Sequence, residues 1–443
     1  MEESGGGIGH LLMTVFLYCF SSFMVIPAIT DVTMSAICPG KDECSLAIYL
    51  SGIQQAIIGL GSLVTMPIVG NLSDTYGRKL MLTLPMILTI FPLGILAYSR
   101  RREFFYAYYV MKTLISMVTE GSVHCLALAY VADNVPENRR VSTFGIMSGI
   151  VSCAFVCGNL STRFLSTPST FQVATAVSVI ALVYMKLFLQ ESNTQNAISA
   201  KASSETNCCL LEKSPKRTFQ MFKDLPSLDD AISLLKTSPT FSQAALISFF
   251  TTVAEVGGHA SLLYYLKAQF QFDKDQFADL MIIGGIAGII SQLILMPILA
   301  PALGEEKLLS VGLFFSCVNL LLHSIAWSTW VPYAASIISL LAVFAMPCLR
   351  SIASKQIGPC EQGRAQGCLT GICSFANIVS PLLFSPLTAL FLSETAPFHF
   401  PGFSILCAGF TGMIAFLQSL QMIKNSTEYV SSSTADIPNF VEP

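Results

Sequence analysis

Two apolar stretches of the sequence each contain a glutamate followed by a histidine four residues later. The pairs are Glu120 with His124 and Glu255 with His259. Positions i and i+4 lie on one face of an α-helix, about 6 Å apart along its axis. A carboxylate beside an imidazole is suited to relaying protons, because histidine titrates near neutrality and a buried carboxyl group is able to do the same. Structural hydrogen bonds between helices are the alternative interpretation of both pairs.

These stretches belong to a chain that is too apolar to be covered by water. It has 443 residues, of which 53% are hydrophobic and only 12% are charged, and its mean hydropathy is +0.64. Soluble chains carry roughly 25% charged residues. The composition therefore excludes a soluble enzyme, a nucleic-acid binder and a disordered scaffold, and it predicts a helical protein embedded in a lipid bilayer.

Twelve apolar runs are long enough to cross a bilayer, which takes about 20 residues in a helix. The first run follows a segment without Lys or Arg, so we expect it to remain as a transmembrane helix rather than to be cleaved as a signal peptide. The approximate bounds of the runs are 9–29, 48–69, 80–98, 105–131, 143–162, 170–189, 242–266, 278–299, 308–326, 331–349, 366–392 and 402–422.

A polar stretch divides these runs into two sets of six. Short echoes, such as Gly77-Arg-Lys-Leu and Gly304-Glu-Glu-Lys-Leu, recur near one fixed spacing in the two sets. Parallel repeats of this kind are typical of transporters. We therefore predict an all-α membrane protein whose twelve transmembrane helices form two pseudo-symmetric bundles. The predicted parts are an N-terminal six-helix bundle (1–189), a cytoplasmic linker (190–240), a C-terminal six-helix bundle (241–423) and a cytoplasmic tail (424–443).

The distribution of basic residues predicts the orientation. With the amino terminus inside, the cytoplasmic loops hold roughly twice as many Lys and Arg residues as the external loops, Arg140 and Arg350 among them. Both termini are therefore expected in the cytoplasm. Cys38 and Cys44 fall in a predicted external loop, where a disulfide and two free thiols both remain open.

Charged side chains within the runs are costly, at roughly 2.5–3.5 kcal/mol each near the bilayer centre. The two glutamates, the two histidines and Lys112 are therefore expected to face a wet cavity, to have partners or to be neutral. Lys112 precedes Glu120 by about two helical turns. It has two possible roles, namely contact with an anionic group of the substrate or extension towards the membrane surface.

The loop after the second run carries the most specific pattern, Gly70-Asn-Leu-Ser-Asp74-Thr-Tyr-Gly77-Arg78-Lys79. Gly70 allows a helix end to approach another backbone closely. Asp74 and Gly77 suit a tight turn. Asp74 and Arg78 are four residues apart and would pair on one helical turn. A polar loop with two orienting positive charges is the alternative interpretation.

This loop resembles the cytoplasmic signature of the major facilitator superfamily. The fourth run ends in Tyr130-Val-Ala-Asp133, which resembles the tetracycline-efflux-like branch that includes the hippocampus-abundant-transcript-like proteins. In that family the loop Asp and Arg and the acid ending helix 4 hold the two halves together on the cytoplasmic side. The resemblance thus implies a gating role for Asp74, Arg78 and Asp133, and it implies that helices 1, 4, 7 and 10 line a central cavity. Helix 1 carries Tyr18 where the drug antiporters have an acid.

The sequence as a whole predicts a secondary active transporter of a small organic solute that works by alternating access. Protons are the expected coupling ion, and the residues expected to bind substrate or protons are Glu120, His124, Lys112, Glu255 and His259. A gradient-independent facilitator and a transporter-like receptor or scaffold without flux are the alternatives.

Other classes have no support in the sequence. It contains no nucleotide-binding loop, no catalytic constellation and no cluster with metal-ligand spacing, so we predict no enzyme activity, no cofactor, no metal and no nucleic-acid partner. We expect a monomer in the plasma membrane or in an endomembrane such as that of the vacuole or lysosome.

Overall fold

The computed structural model describes residues 2–37, 45–192, 233–236, 238–272, 274–358, 361–393 and 396–435. All regular secondary structure in these ranges is helical. Cys38 and Cys44 lie outside the described residues, as does nearly all of the predicted linker.

Within the described ranges, seven helices precede the linker. They are α1 (Glu2–Ile37), α2 (Ser45–Tyr76), α3 (Arg78–Tyr98), α4 (Arg102–Thr119), α5 (Ser122–Asn134), α6 (Glu137–Ser161) and α7 (Thr167–Phe188). Eight further helices are described after it. They are α8 (Pro239–Phe270), α9 (Lys274–Ile290), α10 (Met296–Leu303), α11 (Glu305–Ser324), α12 (Val331–Ala342), α13 (Ala345–Lys355), α14 (Gln362–Leu392) and α15 (Phe403–Ala435).

These helices make up twelve candidate membrane spans in the described part of the chain, each at least 20 residues long. The predicted fold class is therefore confirmed. Three spans are composite: α4 and α5 form the fourth, and α12 and α13 form the tenth. The eighth consists of α9 and α10, joined by a π-helical segment at Ser291–Leu295.

Some helix ends differ from the predicted ones. The second span was expected to end at residue 69, but α2 continues to Tyr76 and takes most of the predicted loop into the helix. Asp74 is therefore helical, and the tight turn expected at Asp74 and Gly77 is reduced to Gly77, whose φ is +100°. Polar residues extend the helix here because their side chains find partners across the end of the bundle, which hydropathy cannot reveal.

Each half packs around its own apolar core. In the first half α1 packs against α6 and α7, and in the second half α8 packs against α14 and α15. The largest fully buried side chains include Phe105, Phe144 and Phe171 in the first half and Phe241 and Phe344 in the second. The halves meet along α2 and α14, and again where α6 contacts α9, α10 and α13.

Candidate functional site

Arg78 is the first residue of α3 and is only 4% exposed. Its Nε donates to Asp133 Oδ2 at 2.8 Å, and its two terminal nitrogens donate to Asp74 and to the Ser73 hydroxyl. The ion pair predicted from the spacing of Asp74 and Arg78 is thus present, although it spans the break at Gly77 and not one helical turn as expected. Asp133 also accepts a hydrogen bond of 3.2 Å from Ser192. These charge-assisted bonds hold the ends of α2, α3 and α5 together within the first half.

The Asp74 carboxylate also reaches into the second half of the chain. Its Oδ1 accepts the Gly363 N–H at 2.9 Å, and its Oδ2 accepts the Arg364 N–H at 2.8 Å. Both amides lie in the first turn of α14, where N–H groups lack intrahelical partners. The N-cap residue Glu361 makes no side-chain capping bond. Asp74 therefore caps a helix of the opposite half and complements its dipole.

Gly70 lies beside the same contact. A β-carbon at this position would collide with the Gly363 carbonyl group and would lie 3.1 Å from the Gly367 α-carbon. Gly371 continues this glycine face of α14 against the Leu63 carbonyl of α2. The absence of side chains thus lets α2 and α14 touch backbone to backbone. We call Asp74, Arg78, Asp133 and the first turn of α14 the interhalf latch.

A second polar contact joins the halves through Arg140, which is buried in α6. Its Nε donates to the Val135 carbonyl at 3.2 Å, and its Nη1 donates to the Ser354 hydroxyl of α13 at 3.3 Å. Ser354 in turn donates to Gln362 at the start of α14. Arg140 was expected to be a cytoplasmic loop charge, and the structure instead buries it in a contact between halves. The count of basic residues in the loops did not indicate that Arg140 would bind Ser354 of the other half.

The second half contains a counterpart of the Arg78–Asp133 pair with the charges reversed. Glu305, the first residue of α11, follows Gly304 at φ +80° and pairs with Lys355 at the end of α13, with an Nζ–Oε1 distance of 2.7 Å. The repeat in the sequence identifies Glu305 as the position equivalent to Arg78. It does not indicate that Lys355, the partner on the tenth span, carries the opposite charge to Asp133 on the fourth.

The fourth span is broken at Glu120. The helix ends at Thr119 and resumes at Ser122, with Gly121 in the left-handed conformation at φ +84°. The predicted stacking of Glu120 and His124 on one uninterrupted helix is therefore wrong. Glu120 is exposed and makes no side-chain hydrogen bond or ion pair among the described residues, although it interacts electrostatically with Tyr18 and Lys112. A discontinuous helix with a polar break is typical of binding sites in transporters.

Lys112 and His124 lie on either side of this break and are both partly buried. His124 interacts electrostatically with Arg350 of α13, in the other half. Arg350 was expected to be a loop charge, but it is 8% exposed and donates to Gln366 and Thr370 at 3.1 and 3.3 Å. Its place at the edge of an apolar run made it look interfacial by sequence alone.

Glu255 and His259 behave as their spacing predicted, because α8 is continuous through both. They line one cavity of about 340 Å³. We call it the second-half cavity because its walls come mainly from α8, α9, α11 and α12, although Phe155 of α6 adds a side chain from the first half. Glu120 is not among the residues that line this cavity, so Glu120 and Glu255 lie at two separate sites. His323 of α11 joins this cavity. It was not predicted, because no acid stands four residues from it in the sequence. No cluster that could hold a metal ion occurs among the described residues.

The described part of the chain contains twelve apolar spans with polar groups inside them, and a capping carboxylate joins its two halves at one end. These are the features of a helical membrane transporter. Residues 11–381 match the model of the Major Facilitator Superfamily, and the chain belongs to this family. It is therefore a multi-pass membrane transporter and not an enzyme, and the resemblance seen in the sequence is confirmed.

Relatives and solved structures agree with this assignment. Human "Hippocampus abundant transcript 1 protein" is 23% identical over 389 residues, covering 87% of this chain and 74% of that protein. "Tetracycline resistance protein, class E" from Escherichia coli is 22% identical over 339 residues, covering 75% and 77%. The crystal structure of the human organic anion transporter MFSD10 (TETRAN) covers 94% of this chain and 99% of its own, with a TM-score of 0.76 and 17% identity.

Proposed function

We propose that the protein moves a small organic solute across its membrane by alternating access and that a proton gradient supplies the energy. The observation that carries the proposal is the Asp74 carboxylate, which belongs to one half and caps α14 of the other. Such a contact closes one end of the pathway and breaks when the halves rock apart. With both termini in the cytoplasm, the closed end is the cytoplasmic one. Gly70 allows the tight approach that closes it, and Gly77 makes the turn that places Arg78 in the latch.

Two carboxylates support proton coupling. Glu120 and Glu255 lie within membrane spans, and neither makes a side-chain hydrogen bond or ion pair among the described residues. A charge left without a partner near the bilayer centre costs several kcal/mol unless it takes up a proton or a ligand. We therefore propose that both glutamates gain and lose protons during the cycle, with His124 and His259 as neighbouring exchange groups and Lys112 as a nearby positive charge that balances Glu120.

The class of solute is supported by the relatives and by the size of the cavity. Two of the relatives are named for resistance to tetracycline, which is a small organic molecule. A cavity of about 340 Å³ lies in the usual range for small-molecule sites, roughly 300–1,000 Å³. We propose a monomer whose partners are the solute, protons and the lipid bilayer of the plasma membrane or of a vacuolar or lysosomal membrane.

The test is a screen of small organic solutes in sealed proteoliposomes at two external pH values. We expect flux of at least one solute to respond to the pH gradient, and we expect Glu120→Gln or Glu255→Gln to abolish that response. Glu103→Gln is the matched control, because Glu103 is exposed in the first turn of α4.

Two outcomes would contradict the proposal. Flux that ignores the gradient and is unchanged in both variants would remove proton coupling and would identify a gradient-independent facilitator. Solute binding without flux would identify a receptor or scaffold with the fold of a transporter.

A further inference from the structure

Among its described lining residues, the second-half cavity has one carboxylate and no Lys or Arg. Glu255 contributes a carboxylate that has no hydrogen bond and no ion pair within the described part of the chain. The described lining residues therefore provide no permanent counter-ion for the charge of this carboxylate, although low-dielectric surroundings make an unpaired charge costly.

The imidazole of His323 presents an acceptor. Its Nδ1 lies 2.9 Å from the Asn319 backbone carbonyl. Because a carbonyl oxygen only accepts, Nδ1 must carry the proton, and in the neutral ring Nε2 then holds a lone pair. Nε2 of His323 is buried and has no hydrogen-bond partner among the described residues, and the same holds for the Asn319 side-chain oxygen.

Two serines add acceptors of the same kind. The Ser336 hydroxyl donates to the Pro332 carbonyl at 3.0 Å, and the Ser339 hydroxyl donates to the Ser336 carbonyl at 2.6 Å. Each hydroxyl has a single proton, so its oxygen is left with lone pairs only. Both serines line the cavity. These groups give the wall several acceptors beside the Glu255 carboxylate. Its donors are the neutral groups of Ser316, the Asn319 side-chain nitrogen and His259.

We propose that this cavity is the binding site for a small organic amine in its cationic form, with Glu255 as the counter-ion and His323, Ser336 and Ser339 as acceptors for the ammonium protons. This inference rests on the proposed transport function and names its substrate class. The apolar remainder of the wall, which includes Leu262, Leu280 and Met281, covers the hydrocarbon part of the amine. A carboxylate solute would meet repulsion from Glu255 and would find no cation among the described lining residues.

The experiment measures equilibrium binding to the purified full-length protein in detergent at one pH. Three probes share one ring and differ in charge: 2-phenylethylamine, 2-phenylethanol and phenylacetate. We expect saturable binding of the amine and at least tenfold weaker binding of the alcohol and the acid. Glu255→Gln should weaken amine binding at least tenfold, whereas Glu103→Gln, the exposed control, should leave it unchanged.

A second variant tests the cavity without touching a charge. Gly284 lines the cavity, and a β-carbon placed there would meet no atom within 4 Å. Gly284→Leu therefore fills the space with little strain, and it should weaken amine binding at least tenfold. The control is Gly94→Leu, because Gly94 has the same open surroundings on α3, outside the cavity.

Some results would overturn this inference. They are the absence of amine binding, equal binding of the alcohol or the acid, and wild-type affinity in Glu255→Gln or Gly284→Leu. These results are separable from the vesicle flux experiment. Amine binding without a flux response to pH would contradict the proposed function alone, and pH-dependent flux of another solute without amine binding would contradict the amine site alone.

Discussion

Asp74 belongs to α2, but two of its hydrogen bonds stabilise α14. Arg78 and Asp133, in contrast, satisfy each other within the first half. When the halves separate at this end, the Arg78–Asp133 pair is able to stay intact, while the bonds from Asp74 to the Gly363 and Arg364 amides must break. Most of the free energy needed to open the latch is therefore spent in breaking the hydrogen bonds of a single carboxylate, that of Asp74.

The first prediction concerns this capping contact. Asp74→Ala removes both the cap and the ion pair, whereas Asp74→Asn keeps an oxygen that can accept from the amides. Loss of a cap costs about 1–2 kcal/mol, which is roughly a five- to thirty-fold change in a local opening equilibrium. Hydrogen exchange of the peptide containing Gly363 and Arg364 should accelerate by that factor in Asp74→Ala and by less in Asp74→Asn.

The exposed residue Asp279 offers a control for this measurement. Asp279→Asn should leave the exchange of the α14 amides unchanged. If Asp74→Ala also left it unchanged, the capping bonds would not stabilise the closed end.

The second prediction concerns the pair with reversed charges. Glu305→Lys places two cations together at the ends of α11 and α13 and should lower thermal stability in detergent. Combining it with Lys355→Glu restores an ion pair in the opposite sense, like that of Arg78 and Asp133. Because Lys355 is partly exposed, we expect a coupling of about 1 kcal/mol in the double-mutant cycle. Additive effects of the two substitutions would argue against the pair.

At the scale of helices, the break in the fourth span is the main departure from prediction. Hydropathy predicts the spans well because the bilayer demands about 20 apolar residues in each. It did not predict the break, because glycine is common within transmembrane helices and Gly121 alone therefore carries no signal. Packing against α14 also requires a glycine at position 121, because a β-carbon there would lie 3.1 Å from the Thr370 methyl group. This contact is seen only once the helices have packed.

The third prediction follows from this backbone conformation. Gly121→Ala forces an L-residue into φ +84° and should destabilise the protein by about 1–2 kcal/mol, measured as a lower thermal midpoint in detergent. Gly94→Ala is the control with the opposite sign, since Gly94 is helical with open surroundings and alanine is the better helix former. Equal effects of the two substitutions would mean that the break is not held by Gly121.

The site was predictable only where its partners lie close together in the sequence. The four-residue spacing predicted the shared face of Glu255 and His259, because helix geometry decides it. It also predicted the Asp74–Arg78 pair, although that pair spans the break at Gly77 between α2 and α3. Contacts between distant segments were not predictable in this way. The Gly363 amide lies 289 residues from Asp74, and Arg350 meets its partners on α14 only after the helices have packed.

At the scale of the whole molecule, the two halves touch through backbone at Gly70 and through side chains at Asp74 and Arg140. A backbone contact cannot relax by rotating a side chain. The closeness of α2 to α14 therefore depends on glycine, and the closed arrangement of the halves depends on that closeness.

The fourth prediction is a change in the relative position of the halves. Gly70→Ala inserts a methyl group against the Gly363 carbonyl and should shift the population towards the form opened at the latch. Spin labels at the exposed positions Thr75 and Gln356, in a variant without reactive cysteines, should report a longer distance. Gly52→Ala, in open space on the same helix, should leave the distance unchanged. If the distance between the labels were the same in Gly70→Ala as in Gly52→Ala and the wild-type protein, the closed arrangement would not depend on Gly70.

The π-helical turn at Ser291–Leu295 links two requirements of the eighth span. Before it, Gly284 borders the second-half cavity, and after it, Met296 packs against Gly145 of α6. A π-turn accommodates one residue more than an α-turn, so it sets the rotational phase between the two flanks. Deleting one residue here would turn one flank by about 100° relative to the other. The span would then keep either its place in the cavity wall or its packing contact with α6, but not both.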